Sequence, residues 1–169
     1  WETTLGLLDT NCDLGLFTWL GDAADASFVG ENLGDASGTS APAGDVDGDG
    51  LGDFLIGAPY NADGGQNAGK SYLFLGASIA AGGTFDLSAA DFSFVGEHGE
   101  DYSGSEVASA GDVDGDGLSD LLIGALGNDD GGNGAGKSYL FFSSFASVTT
   151  RSGFTSICIA AGICVISSI

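Results

Sequence analysis

Residues 111–125 read Gly-Asp-Val-Asp-Gly-Asp-Gly-Leu-Ser-Asp-Leu-Leu-Ile-Gly-Ala. Asp112, Asp114, Asp116 and Asp120 take the first, third, fifth and ninth places of an acidic loop, and the glycines among them let the backbone curl around a centre. No Lys, Arg or His stands in this stretch to neutralise them. Hard oxygen ligands at alternating positions suit calcium, which takes six to eight oxygens at roughly 2.3–2.6 Å and tolerates an irregular cage. The four carboxylates supply four points of such a cage, and the backbone carbonyl of Leu118 is expected to supply a fifth.

The same words occur a second time. Residues 44–58 match 111–125 at 13 of 15 positions, differing only at Gly52/Ser119 and Phe54/Leu121. A second set of ligands follows: Asp45, Asp47, Asp49, Asp53 and the carbonyl of Leu51. One acidic loop is ordinarily a solvated turn, but two near-identical loops that each run into an apolar segment point to a pair of metal sites. An EF-hand loop is excluded by residue type, because its twelfth place requires a carboxylate and here holds Ile56 and Ile123. The run after each loop is short, apolar and closed by Gly-Ala, as a buried strand is, so these are calcium loops between strands.

Asp-Val-Asp-Gly-Asp-Gly-Leu-x-Asp-x-Leu-Ile-Gly-Ala resembles the FG-GAP repeat, the blade unit of integrin-alpha-like β-propellers. The resemblance covers about two thirds of the chain. It implies an all-β fold of two antiparallel blades, a partial β-propeller, and a module of adhesion or ligand binding. Propellers of this family usually carry seven blades, and two repeats cannot close a ring.

The rest of the chain fits that plan. Ala23–Glu31 matches 89–97 at eight of nine positions, and Ala-Gly-Lys-Ser-Tyr-Leu-Phe recurs at 68–74 and 135–141. Each unit reads as a meander: Phe-Val-Gly-Glu, a strand entering the loop, Leu-Ile-Gly-Ala, then Ser-Tyr-Leu-Phe. The expected divisions are an N-terminal non-repeat β segment at 1–22, repeats at 23–78 and 79–144, and a C-terminal apolar β segment at 145–169. In the last, Cys158 to Cys164 spans a three-residue hairpin loop that sets the two cysteines opposite each other. A disulfide there and two reduced core cysteines are both compatible with the spacing, with Cys12 left as the odd thiol.

Composition excludes several functions. Three basic residues against 24 acids give a formal charge of −21, which repels nucleic acid and anionic membrane surfaces. Hydrophobic residues make up 43% of the 169, too many for a disordered acidic tail. The uncharged stretch 154–169 would reach only about 24 Å as a helix, short of the roughly 30 Å hydrocarbon core, so a membrane span is not expected. The chain starts at Trp1, so it reads as processed or partial. Cysteines and calcium point to an extracellular or cell-surface setting.

No enzyme is expected. His98 is the single histidine, in a loop beside Glu97 and Glu100, and no nucleophile elbow is present. Lys70 and Lys137 hold the same place in both repeats and are expected to form structural ion pairs. Glu31 and Glu97 are candidates to cap a turn or join the metal shell, and Asn61, Asp63, Asn128 and Asp130 to build hairpin ends or a weak second cation site. The expected partners are other copies of the chain, joined head to tail into an oligomer or filament because both ends are apolar, or else an extracellular protein or glycan ligand. A fragment of a longer propeller and an accessory domain of a secreted hydrolase are the alternatives.

Overall fold

The computed structural model describes residues 24–144 and the backbone of two tail strands. Cys12 and the expected strands of residues 1–22 lie outside the described residues. The elements are β1 (Ala26–Val29), β2 (Thr39–Gly44), β3 (Asp53–Ala58), β4 (Lys70–Phe74), a one-turn helix α1 (Gly76–Ile79), β5 (Gly83–Asp86), a 3-10 turn (Leu87–Ala89), β6 (Phe92–Val95), β7 (Ser103–Gly111), β8 (Asp120–Ala125) and β9 (Lys137–Phe141). In the tail, β10 (Thr155–Ile159) and β11 (Ile163–Ser167) pair antiparallel with Cys158 opposite Cys164. Among the described residues no helix is long and apolar enough to cross a membrane.

Two antiparallel sheets dominate, in the orders β2-β3-β4-β6 and β7-β8-β9. Their apolar faces meet in one core of Ala43, Val46, Leu55, Leu73, Val107, Leu121 and Ile123, with the rings of Phe94 and Phe141 tilted against each other at 4.7 Å on its margin. A second cluster, Ile56, Tyr72, Phe74 and Leu87, is covered by Phe28 and Phe85 on the other face of the first sheet. Strand alternation explains both, since Leu55 and Leu73 point to one side and Ile56, Tyr72 and Phe74 to the other. Pro42 is tolerated because β2 is an edge strand, and the register shifts beside it.

The strand order corrects one expectation. Phe-Ser-Phe-Val of the second repeat does not stand beside the strand that enters its own acidic loop. It forms β6 and pairs with β4 of the first repeat, Lys70 opposite Val95 and Leu73 opposite Phe92. Its counterpart β1 pairs in parallel with β5. The reason is burial: in this position Phe92 and Phe94 pack against the shared core, and the outer edge of β4 gains its hydrogen-bond partner. Sheet and sequence repeat are therefore out of phase.

Candidate metal centre

Each acidic loop leaves the end of one strand and returns along the next, β2 to β3 and β7 to β8, and the second strand begins with the ninth-position aspartate. Asp53 is 1% exposed and Asp120 0%. Both oxygens of Asp53 accept backbone N–H groups, from Val46 at 2.8 Å and Gly76 at 2.7 Å. Asp120 repeats this with Val113 at 2.7 Å and Ser143 at 2.9 Å. These two carboxylates thus tie the start of a loop to the residues that follow β4 and β9. Burial pushes the Asp53 carboxyl above its ordinary value, against the pull of the two N–H donors.

The remaining acids turn the loop on itself. Asp45 accepts from Gly48 and Gly50, Asp47 from Asp49, and Asp49 from Leu51. In the second loop Asp112 accepts from Gly115, Asp116 and Gly117, Asp114 from Asp116, and Asp116 from Leu118. Gly48, Gly50, Gly115 and Gly117 have φ between 80° and 93°, the left-handed region that glycine enters without a steric penalty.

These turns bring one oxygen each of Asp45, Asp47 and Asp53 within 4.8 Å of one another, and likewise Asp112, Asp114 and Asp120. Ligands on opposite sides of an ion held at roughly 2.3–2.6 Å stand about 4.6–5.2 Å apart, so each trio fits around one calcium ion. The donor set is all oxygen, which fits calcium and not a thiolate- or imidazole-selecting metal. Asp49 and Asp116 stand outside the trios, each bonded to the backbone N–H two residues on. The Leu118 side chain is buried, that of Leu51 is exposed, and both residues belong to the turn closed by that bond. The two loops touch, for Ser119 N donates to the carbonyl of Asp45 at 2.8 Å.

The lysines are engaged elsewhere. Lys70 Nζ donates to Glu31 and Asp63, each at 2.7 Å, and lies 5.1 Å from the centre of the Tyr72 ring. Lys137 does the same with Glu97 at 2.8 Å, Asp130 at 2.7 Å and the Tyr139 ring at 5.0 Å. The expected ion pairs are present, and Glu31 and Glu97 belong to them and not to the acidic loops. Lys137 is raised by its bonds to Asp130 and Glu97, and Asp130 is lowered by Lys137. For Lys70, burial lowers the ammonium, but the bonds to Asp63 and Glu31 outweigh it and leave it raised. Tyr72 is raised by burial and by its bond to Glu31.

Asp35 and Asp101 are the residues that sequence reasoning passed over. Buried, they accept from Asn61 Nδ2 at 2.8 Å and Asn128 Nδ2 at 3.0 Å, and so fix the two hairpin ends. Their recurrence in both copies was the available signal. His98 is largely exposed, with Nδ1 3.8 Å from Asp101. Glu97, His98 and Asp101 form a third group of potential ligands, but Glu97 is bound by Lys137 and Asp101 by Asn128.

Comparison with known proteins agrees with this geometry. The FG-GAP repeat model matches residues 37–74 and 103–141. Integrin alpha-PS2 of Drosophila melanogaster is 34% identical over 125 residues, 70% of this chain and 8% of the relative. Integrin alpha-M of Mus musculus is 42% identical over 89 residues, 50% of the chain and 7% of the relative. Integrin alpha-5 of Xenopus laevis is 36% identical over 104 residues, 59% and 9% respectively. The chain spans less than a tenth of the length of these relatives. With two matched segments that each hold a trio of loop aspartates, the chain carries two FG-GAP repeats and is similar over them to the integrin alpha chains.

Proposed function

We propose that this chain is a calcium-stabilised, non-catalytic adhesion module: two neighbouring blades of an integrin-like β-propeller that present a rigid surface to an extracellular protein or glycan. The observation that carries the reading is the pair of equivalent aspartate trios, each spread over no more than 4.8 Å, in loops joined to each other by a hydrogen bond. Asp45, Asp47 and Asp53 would hold one ion and Asp112, Asp114 and Asp120 the other, with Asp49, Asp116 and the carbonyls of Leu51 and Leu118 completing the shells. Bound calcium would supply positive charge where like charges otherwise repel. The chain's own part is to pre-turn each loop through its Asp-to-backbone bonds, so that little ordering is left for binding to accomplish. Millimolar calcium outside cells matches sites of this kind, which supports an extracellular or cell-surface setting.

Calorimetric titration of calcium into chelator-stripped protein tests the reading. Two sites are expected, with Asp47→Asn removing one and Asp114→Asn the other. Absence of binding up to a few millimolar calcium overturns it. Self-association is the second reading, and a specific observation favours it: the outer face of the second sheet exposes Leu122 and Leu140, at 38% and 42%.

A further inference from the structure

The molecule contains its own control for that face. β4 and β9 have the same sequence, Lys-Ser-Tyr-Leu-Phe, yet all five residues are buried in β4 and none in β9. Leu55 and Leu73 are fully buried against the second sheet, and the residues in their places, Leu122 and Leu140, are exposed. The outer edge of β4 is paired with β6, whereas β9 pairs only with β8 among the described strands. The tail strand β11 lies beside β9 without pairing to it.

Glycine placement makes the same distinction. A Cβ at Gly57 would collide with the Gly104 carbonyl of the second sheet, and one at Gly69 with the backbone of Ser103. Their counterparts carry the same residue without the neighbour. At Gly124 the nearest atom is Glu106 Cβ of its own sheet at 3.4 Å, and at Gly136 it is the Leu126 carbonyl at 3.5 Å. The outer face of the second sheet therefore keeps the seat that, on the first sheet, admits a neighbouring blade.

What fits that seat is already on the chain. The first blade carries β1, whose sequence repeats that of β6 except for Ala26 in place of Phe92. It also exposes Val29 at 51%, Phe54 at 42% and Gly38, the counterpart of Gly104. Among the described strands β1 is paired on one edge only, with β5. We infer that the outer face and edge of the second sheet dock the first blade of a second copy, by the relation that joins the two sheets within one copy. β9 of one copy pairs antiparallel with β1 of the next, Lys137 opposite Val29 and Leu140 opposite Ala26. The carbonyl of Gly38 lies over Gly124, and Leu122 and Leu140 are covered. The contact is heterologous, so it leaves a free seat at each end and continues into a ring or a filament. The inference rests on the self-association reading and is independent of the calcium sites.

Sedimentation of the whole chain in calcium at about 150 mM salt tests it, a concentration that screens the like charge of the copies beyond about 8 Å. Gly124 has no left-handed φ and a Cβ there would make only ordinary contact, with Glu106 Cβ at 3.4 Å, so Gly124→Ala folds as the parent does. The parent is expected to associate with rising concentration, and Gly124→Ala and Leu140→Glu to lose at least tenfold in association constant. Melting of dilute Gly124→Ala should be unchanged, and amide exchange at 138–141 in the parent should slow on association. A parent that stays monomeric overturns the proposal; slow exchange at 138–141 in that monomer would give the edge to the chain's own tail hairpin. Association that Gly124→Ala leaves intact overturns it equally. Loss of calcium binding with association preserved would remove the metal reading and leave this one standing.

Discussion

At the scale of single residues, the aspartates of one loop do two different jobs, and substitution separates them. Asp53 satisfies two backbone N–H groups while almost wholly buried, so its removal leaves both without partners whatever ion is present. Each orphaned donor costs about 1–3 kcal/mol, so Asp53→Ala is expected to lose about 2–5 kcal/mol of stability even in excess chelator. Asp47, partly exposed, holds one N–H of its own turn, and Asp47→Ala should cost under about 1 kcal/mol in chelator and much more in calcium. Denaturant unfolding of both variants with and without calcium checks this. The Lys137 cluster gives a pH test. Asp130 is lowered, so its contribution is complete above its unfolded value near pH 4 and lost as pH falls through the lower folded value. Lys137 is raised, so its contribution is complete below about pH 10 and lost only as pH rises through the folded value. The stability difference between the parent and Lys137→Gln should therefore be flat from about pH 5 to 9 and shrink below about pH 4. That both lysines would be paired was readable from two cations placed alike in a sea of acids. Which acids was not, because Glu31 lies 39 residues from Lys70 and only the turn after β1 brings it back.

At the scale of elements, identical strands sit in unlike surroundings. Leu73→Ala empties a space walled by Leu55, Val107 and Leu121 and is expected to cost about 2–5 kcal/mol. Leu140→Ala, in the same pentapeptide on an open face, should cost under about 1 kcal/mol in a dilute monomer, because much of that side chain is solvated before and after. Equal losses, measured by chemical denaturation, would contradict the described packing. The alternation of Ser-Tyr-Leu-Phe announced a strand with two faces, and the spacing of Cys158 and Cys164 announced a hairpin with those residues opposed. The pairing of β6 with β4 was not announced. Sequence repeats mark where a motif restarts, whereas sheet membership is decided by which edge is open and which apolar face is uncovered, and both depend on the neighbouring repeat. The Phe54/Leu121 difference between the two repeats fits the same picture. Leu121 is fully buried because the first sheet covers it, while Phe54 in the equivalent place is 42% exposed.

At the scale of the whole molecule, the two repeats are expected to melt as one body whose stability is set by calcium. They share a single core, β6 of one completes the sheet of the other, and the acidic loops are bonded through Ser119 and Asp45. A sheet that loosens in one repeat therefore uncovers apolar surface in the other, and half-folded states are disfavoured. Binding to the folded state alone adds about 2.7 kcal/mol per site when free calcium is a hundredfold above the dissociation constant. Two sites would then raise the melting temperature by on the order of 20 °C in a domain of this size. Scanning calorimetry should show one transition with calcium and one, much lower, in chelator. Asp114→Asn, which disables only the second site, should give a single transition between those two and not a split melt. Two separated transitions in that variant would mean that the repeats unfold independently. A melt unmoved by chelator would mean that the aspartate loops hold their shape by backbone bonds alone.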